Sequence, residues 1–80
     1  MNTTQKEVLS DLIGKLRMLT IKRIGESDDE EEITELKRKD RILLFEMEAV
    51  KGDDLVAESI QDKALNYYSP FMKTLWKEGL

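Results

Sequence analysis

Apolar residues recur along this chain at three- and four-residue intervals, as in amphipathic helices, and nowhere alternate as strands do. The most complete pattern runs from Glu26 to Gly52. It opens on Ser27-Asp28-Asp29-Glu30-Glu31-Glu32, passes through Lys37, Arg38, Lys39 and Arg41, turns apolar at Ile42-Leu43-Leu44-Phe45, and closes on Val50-Lys51-Gly52. On a helical projection Ile33, Leu36, Leu43, Leu44, Met47 and Val50 share one arc, which is a core-facing stripe. Ser27 with Glu30 reads as a capping box. The acidic first turn suits the positive end of the helix dipole, and Lys51 suits the negative end. Gly52 is placed to take the left-handed conformation that ends many helices. Two features disturb this picture. Asp40 lies in the middle of the apolar arc, and Ile42, Phe45 and Ala49 form a second stripe on the opposite face. A helix that is apolar on two sides is sandwiched, within its own domain or by a partner.

Residues 4–24 predict an earlier helix, started by a capping box at Thr4-Gln5-Lys6-Glu7 and stopped at Gly25. Val8, Leu9, Leu12, Ile13, Leu16 and Leu19 share its apolar arc, while Met18 and Ile21 fall outside, beside Gly14. Gly14 marks either a close backbone approach or a tolerated weak point. The short connection at Glu26–Asp29 makes the two helices antiparallel neighbours. Such a hairpin brings Lys22 and Arg23 near Glu30, Glu31 and Glu32, and Lys15 and Arg17 nearer the second helix's cations, giving an acidic tip and a basic waist. Asp53-Asp54 starts a third helix over about 54–68, with Val56, Ala57, Ile60, Ala64, Tyr67 and Tyr68 on one face. Ser69-Pro70 then either starts a fourth helix or kinks the third. Phe71, Met72, Leu75 and Trp76 form the last apolar face, ending near Gly79. The fold expected is all-α: a long antiparallel helical hairpin with two short C-terminal helices, one small helical domain over 1–80.

Composition narrows the chemistry. Among 80 residues there is neither Cys nor His, so thiolate sites, disulfides and the commonest general base and metal ligand are absent. No serine or cysteine triad can be built from this chain alone, and no cofactor or catalytic residue is predicted. The net charge of −4 argues against a general grip on nucleic acid. No run of 18 apolar residues and no signal-peptide pattern occurs, so the chain reads as soluble and cytoplasmic. A core this small contributes only roughly 3–5 kcal/mol of net stability. The second stripes exceed what one hairpin face buries, so they are covered either by the C-terminal helices or by a second copy of the chain in a homodimer.

Four features are candidates for function. The acidic run Glu26, Asp28, Asp29, Glu30, Glu31, Glu32 and Glu35 is either a solvated helix start or a surface for a basic partner, and it lacks the ligand spacing of a calcium loop. Lys37, Arg38, Lys39 and Arg41 point around three sides of a helix, with no aromatic residues between them to stack bases. Asp40, a buried polar candidate, either accepts hydrogen bonds from Tyr67, Tyr68, Trp76 or a nearby Lys or Arg, or sets register at an oligomer interface. Met18, Ile21, Ile42, Phe45, Tyr67, Tyr68, Phe71 and Trp76 are the candidates for a partner-binding or oligomer face. Together they point to a non-enzymatic interaction module: a small acidic adaptor, regulator or inhibitor of another macromolecule, of the phage or mobile-element antagonist type. The alternatives are a dimeric nucleic-acid-binding regulator using Lys37–Arg41, and a structural subunit of a helical assembly.

Overall fold

A computed structural model of the chain describes the backbone of residues 1–77 and the side chains of residues 1–73. Helix α1 spans Thr3–Glu26 and α2 spans Glu30–Ala49; α3 (Leu55–Lys63), a π-helical turn (Ala64–Tyr68) and α4 (Ser69–Lys77) follow one another without a break. The all-α hairpin is therefore present. The two short C-terminal helices predicted are one continuous arm, wound wide in its middle. The π turn packs on α1 and α3 packs on α2. The Cα frame measures 41 × 26 × 16 Å, so its thinnest dimension holds only two layers of helix.

The α1–α2 pairing is antiparallel. Lys6 pairs with Asp53, Ser10 Oγ donates to the Met47 carbonyl at 3.0 Å, and Arg17 Nε donates to Asp40 Oδ1 at 3.0 Å. As the first number climbs the second falls at nearly the same rate. Leu9, Ile13 and Leu16 on α1 meet Leu43 and Val50 on α2, and Ile60 of α3 and Ala64 of the π turn close the core. The alternating four- and three-residue steps at Leu9, Ile13 and Leu16, and the seven-residue steps at Leu36, Leu43 and Val50, are those of a coiled-coil seam. That seam is narrower than the arc read from the sequence. Val8 and Leu44 fall off its edges and are exposed.

The helix ends differ from the sequence reading in instructive ways. Helix α1 starts earlier, because Asn2 rather than Thr4 caps it: its side chain accepts from the Gln5 N–H and the Gln5 side chain returns the bond. It also runs through Gly25 to Glu26, with nothing pressed against that glycine. Helix α2 is capped by Asp29, which accepts from the Glu31 and Glu32 N–H groups, while Ser27 Oγ accepts from the Asp29 N–H. At its other end Gly52 is not left-handed. The carbonyls left over at that end find other donors: Ser10 Oγ on the Met47 carbonyl, the Gly52 N–H on that of Ala49, and Gln61 Nε2 on that of Val50 at 2.9 Å. A Cβ at Gly52 would fit tightly, 3.3 Å from the Ala49 carbonyl oxygen and 3.4 Å from the Ala57 Cβ. Asp54 caps α3 as the sequence indicates. The buried face of the arm is Ala57, Ile60, Gln61 and Ala64, with Tyr68 half-buried; Val56 and Tyr67, expected on it, are exposed.

Pro70 lies inside the arm, and the chain before it is wound with i→i+5 bonds, among them Ser69 N–H to the Ala64 carbonyl. A proline in a helix lacks an N–H and its ring crowds the carbonyl four residues back. Widening the preceding turn is one way a helix absorbs that insertion without ending. Gly79 and the side chains of Leu75 and Trp76 lie outside the described residues.

Gly14 settles as a weak point rather than a backbone crossing. The nearest atom to a Cβ there is the Met47 sulfur, at 3.4 Å. Gly14→Ala should therefore stabilise the protein by about 0.5–1 kcal/mol through helix propensity alone. Thermal unfolding followed by circular dichroism measures this; a lower midpoint would mean that Met47 cannot accommodate the added methyl.

Candidate interaction surface

Helix α2 is covered on one side by α1 and on its flank by α3, and its remaining face is open. Ile42 and Phe45 stand there as the second stripe predicts, whereas Ala49, the third residue of that stripe, is half-buried against the core. Across from them α3 carries Leu55, Val56 and Ser59. The two walls enclose an open groove of about 400 Å³, floored by Ile60 and Glu46. Leu55 is 81% exposed, Phe45 59% and Val56 51%. These are large values for apolar side chains in one place.

Beneath the groove lies the most buried charge of the described residues. Glu46 is 4% exposed. Its Oε1 accepts from the Tyr68 hydroxyl at 2.6 Å and its Oε2 from Lys63 Nζ at 3.1 Å; the same Nζ lies 5.2 Å from the centre of the Tyr68 ring. A buried carboxylate is tolerable only with donors and a counter-charge of this kind. Lys63 and Tyr68 are five residues apart, about 140° on an ordinary α-helix. The π turn brings them round to one side of the arm. Burial first, and then the bond to Glu46, holds the Tyr68 phenol above its usual range. Lys63 is also raised, by its interaction with Tyr68 and, against some desolvation, with Glu46.

The sequence-predicted residues distribute over several surfaces. Ile42 and Phe45 line the groove. Met18 belongs to a second groove between α1 and α2, of about 530 Å³, floored by Gly14 and Met47 and rimmed by Asp11, Lys15, Glu48 and Lys51. Ile21 is exposed further along α1, Tyr67 and Phe71 are exposed on the arm, and Tyr68 is taken up by Glu46. Trp76 is not among the described side chains. Glu26, Asp28, Asp29, Glu30, Glu31 and Glu32 are all exposed at the hairpin tip, with Asp29 committed to its cap. Among the described residues no ion pair joins them to Lys22 or Arg23, in contrast to the tip bridges expected. Exposed pairs of that kind gain little over hydration. Among the described residues no group of carboxylates converges to hold a metal ion.

Lys37, Arg38, Lys39 and Arg41 are exposed, and Arg38 is bonded to Glu35, whose carboxyl it holds below the usual range. Asp40 is half-buried and its partner is Arg17. That is the Lys-or-Arg pairing, within one chain, and not the link to Tyr67, Tyr68 or Trp76. The fully buried polar groups, Glu46, Ser10 and Gln61, escaped the sequence reading, as did Leu55 and Val56 as walls of the groove. For Glu46 the signal was faint. It flanks the Leu43–Met47–Val50 seam, and only the widened turn before Pro70 aligns its two donors.

No protein-family model, curated protein or solved structure matches this chain. Among the described residues no helix is long and apolar enough to cross a membrane.

The Glu46 cluster makes a pH prediction. Both raised groups hold their protons more tightly folded than unfolded, so their contribution is complete below the unfolded values of about 10 and is lost as pH climbs through the folded ones. Stability measured by urea titration should fall above about pH 10. Tyr68→Phe should cost about 1 kcal/mol at neutral pH and remove the tyrosine share of the alkaline loss. An unchanged alkaline profile in that variant would show that Tyr68 is not held as described.

Proposed function

We propose that this protein is a non-enzymatic interaction module, a small acidic adaptor, regulator or inhibitor that works in the cytoplasm by binding another macromolecule. The observation that carries this reading is the groove between α2 and α3. Its apolar walls stand outside a core that is already closed by other residues. Contiguous apolar surface of this kind marks interaction sites in soluble proteins. Among the described residues the only carboxylate lining it is Glu46, whose charge is met by Lys63 and Tyr68. A partner can therefore dock there without stranding a charge.

The nucleic-acid reading has weaker support. The cations of Lys37–Arg41 spread around α2, and one of the four is engaged by Glu35. Phosphate binding favours a single positive face.

The test is affinity capture from nuclease-treated native lysate, with wild-type protein and Phe45→Glu as parallel baits. The wild type should retain a nuclease-resistant protein in near-equal amount, and Phe45→Glu should lose at least tenfold of it while keeping its helical circular dichroism. Equal retention by both baits, or capture that disappears on nuclease treatment, contradicts the proposal.

A further inference from the structure

We infer that the open face of α2 and α3 is the interface of a symmetric dimer, in which the α2 helices of two copies pack antiparallel across Phe45. The inference rests on the proposed role of this face as an interaction surface, and it assigns the groove, in the absence of a heterologous partner, to a second copy of this chain.

A two-fold interface places the same patch on both sides, so the patch must complement itself. The sequence around Phe45 does. Arg41 lies four residues before it and Glu48 three after, so all three share one side of α2. Arg41 is exposed, Glu48 is exposed, and neither forms an ion pair within its own chain among the described residues. Parallel packing of two such helices sets Arg41 against Arg41 and Glu48 against Glu48. Antiparallel packing about Phe45 sets each Arg41 against the other copy's Glu48, twice. The charge order thus selects one orientation and supplies two rim contacts around an apolar centre. That centre is Phe45, with Ile42, Leu55 and Val56 alongside in the groove.

The competing surface around Met18 is rimmed by charge rather than walled by apolar side chains. Its cations and carboxylates, Asp11, Lys15, Glu48 and Lys51, surround a floor of Gly14 and Met47.

Sedimentation equilibrium of the purified 80-residue chain, from micromolar to millimolar concentration, tests the dimer. The wild type should reach twice the single-chain mass, and Phe45→Glu should stay at the single-chain mass with its helical content intact. Arg41→Glu and Glu48→Arg should each weaken self-association about tenfold. An equimolar mixture of those two variants should associate as well as the wild type, because every rim contact then joins opposite charges. A wild type that remains a single chain throughout overturns the inference, as does a dimer indifferent to Phe45→Glu or a mixture no tighter than its components. A single-chain wild type that still captures a protein through Phe45 overturns the dimer alone. A dimer that captures nothing from lysate overturns the heterologous reading alone.

Discussion

A carboxylate leaves water only if donors and a counter-charge leave with it, and this constraint fixes how the C-terminal arm lies on the hairpin. Glu46 is the buried charge, and Lys63 and Tyr68 are its donors. The two donors face the same way because the turn at Ala64–Tyr68 is wound wide, and that turn stands directly before Pro70. The proline, the widened turn and the buried acid form one arrangement. With the arm so pinned, Ala57, Ile60 and Ala64 enter the core and Leu55 and Val56 remain outside it.

The hairpin itself depends on simpler physics. Two helices share a narrow apolar seam, and the connection between them is too short for any geometry but antiparallel. The polar groups at the far end of α2 are then satisfied by side chains of α1 and α3 together with the Gly52 N–H, without a left-handed glycine. This explains why that end is rigidly specified. Ser10 and Gln61 are both buried and both spend their donors on carbonyls that the end of α2 leaves over.

What could be read from the sequence follows the range of the interactions concerned. The helices, their order and the hairpin follow from local periodicity and loop length, and these were legible. So was the second stripe at Ile42 and Phe45. Caps were legible as types but not as positions, because Asn2 and Thr4, or Ser27 and Asp29, compete on nearly equal chemical terms. Leu44 and Val8 were assigned to the core because a projected arc is wider than a two-helix seam. Glu46 was missed because its burial depends on a distant pair of donors and on a non-standard turn. Asp40 drew attention by breaking the apolar pattern, yet a single arginine on the neighbouring helix accounts for it.

The face built from Ile42, Phe45, Leu55 and Val56 is the proposed working surface, and the other exposed apolar side chains are incidental to it. Methyl NMR with a soluble paramagnetic probe, read as protein concentration rises, tests it most directly. The Ile42, Leu55 and Val56 methyls should lose probe broadening with concentration while those of Val8, Ile21 and Leu65 keep theirs. Uniform broadening of all six at every concentration, or protection confined to Ile21, would contradict it.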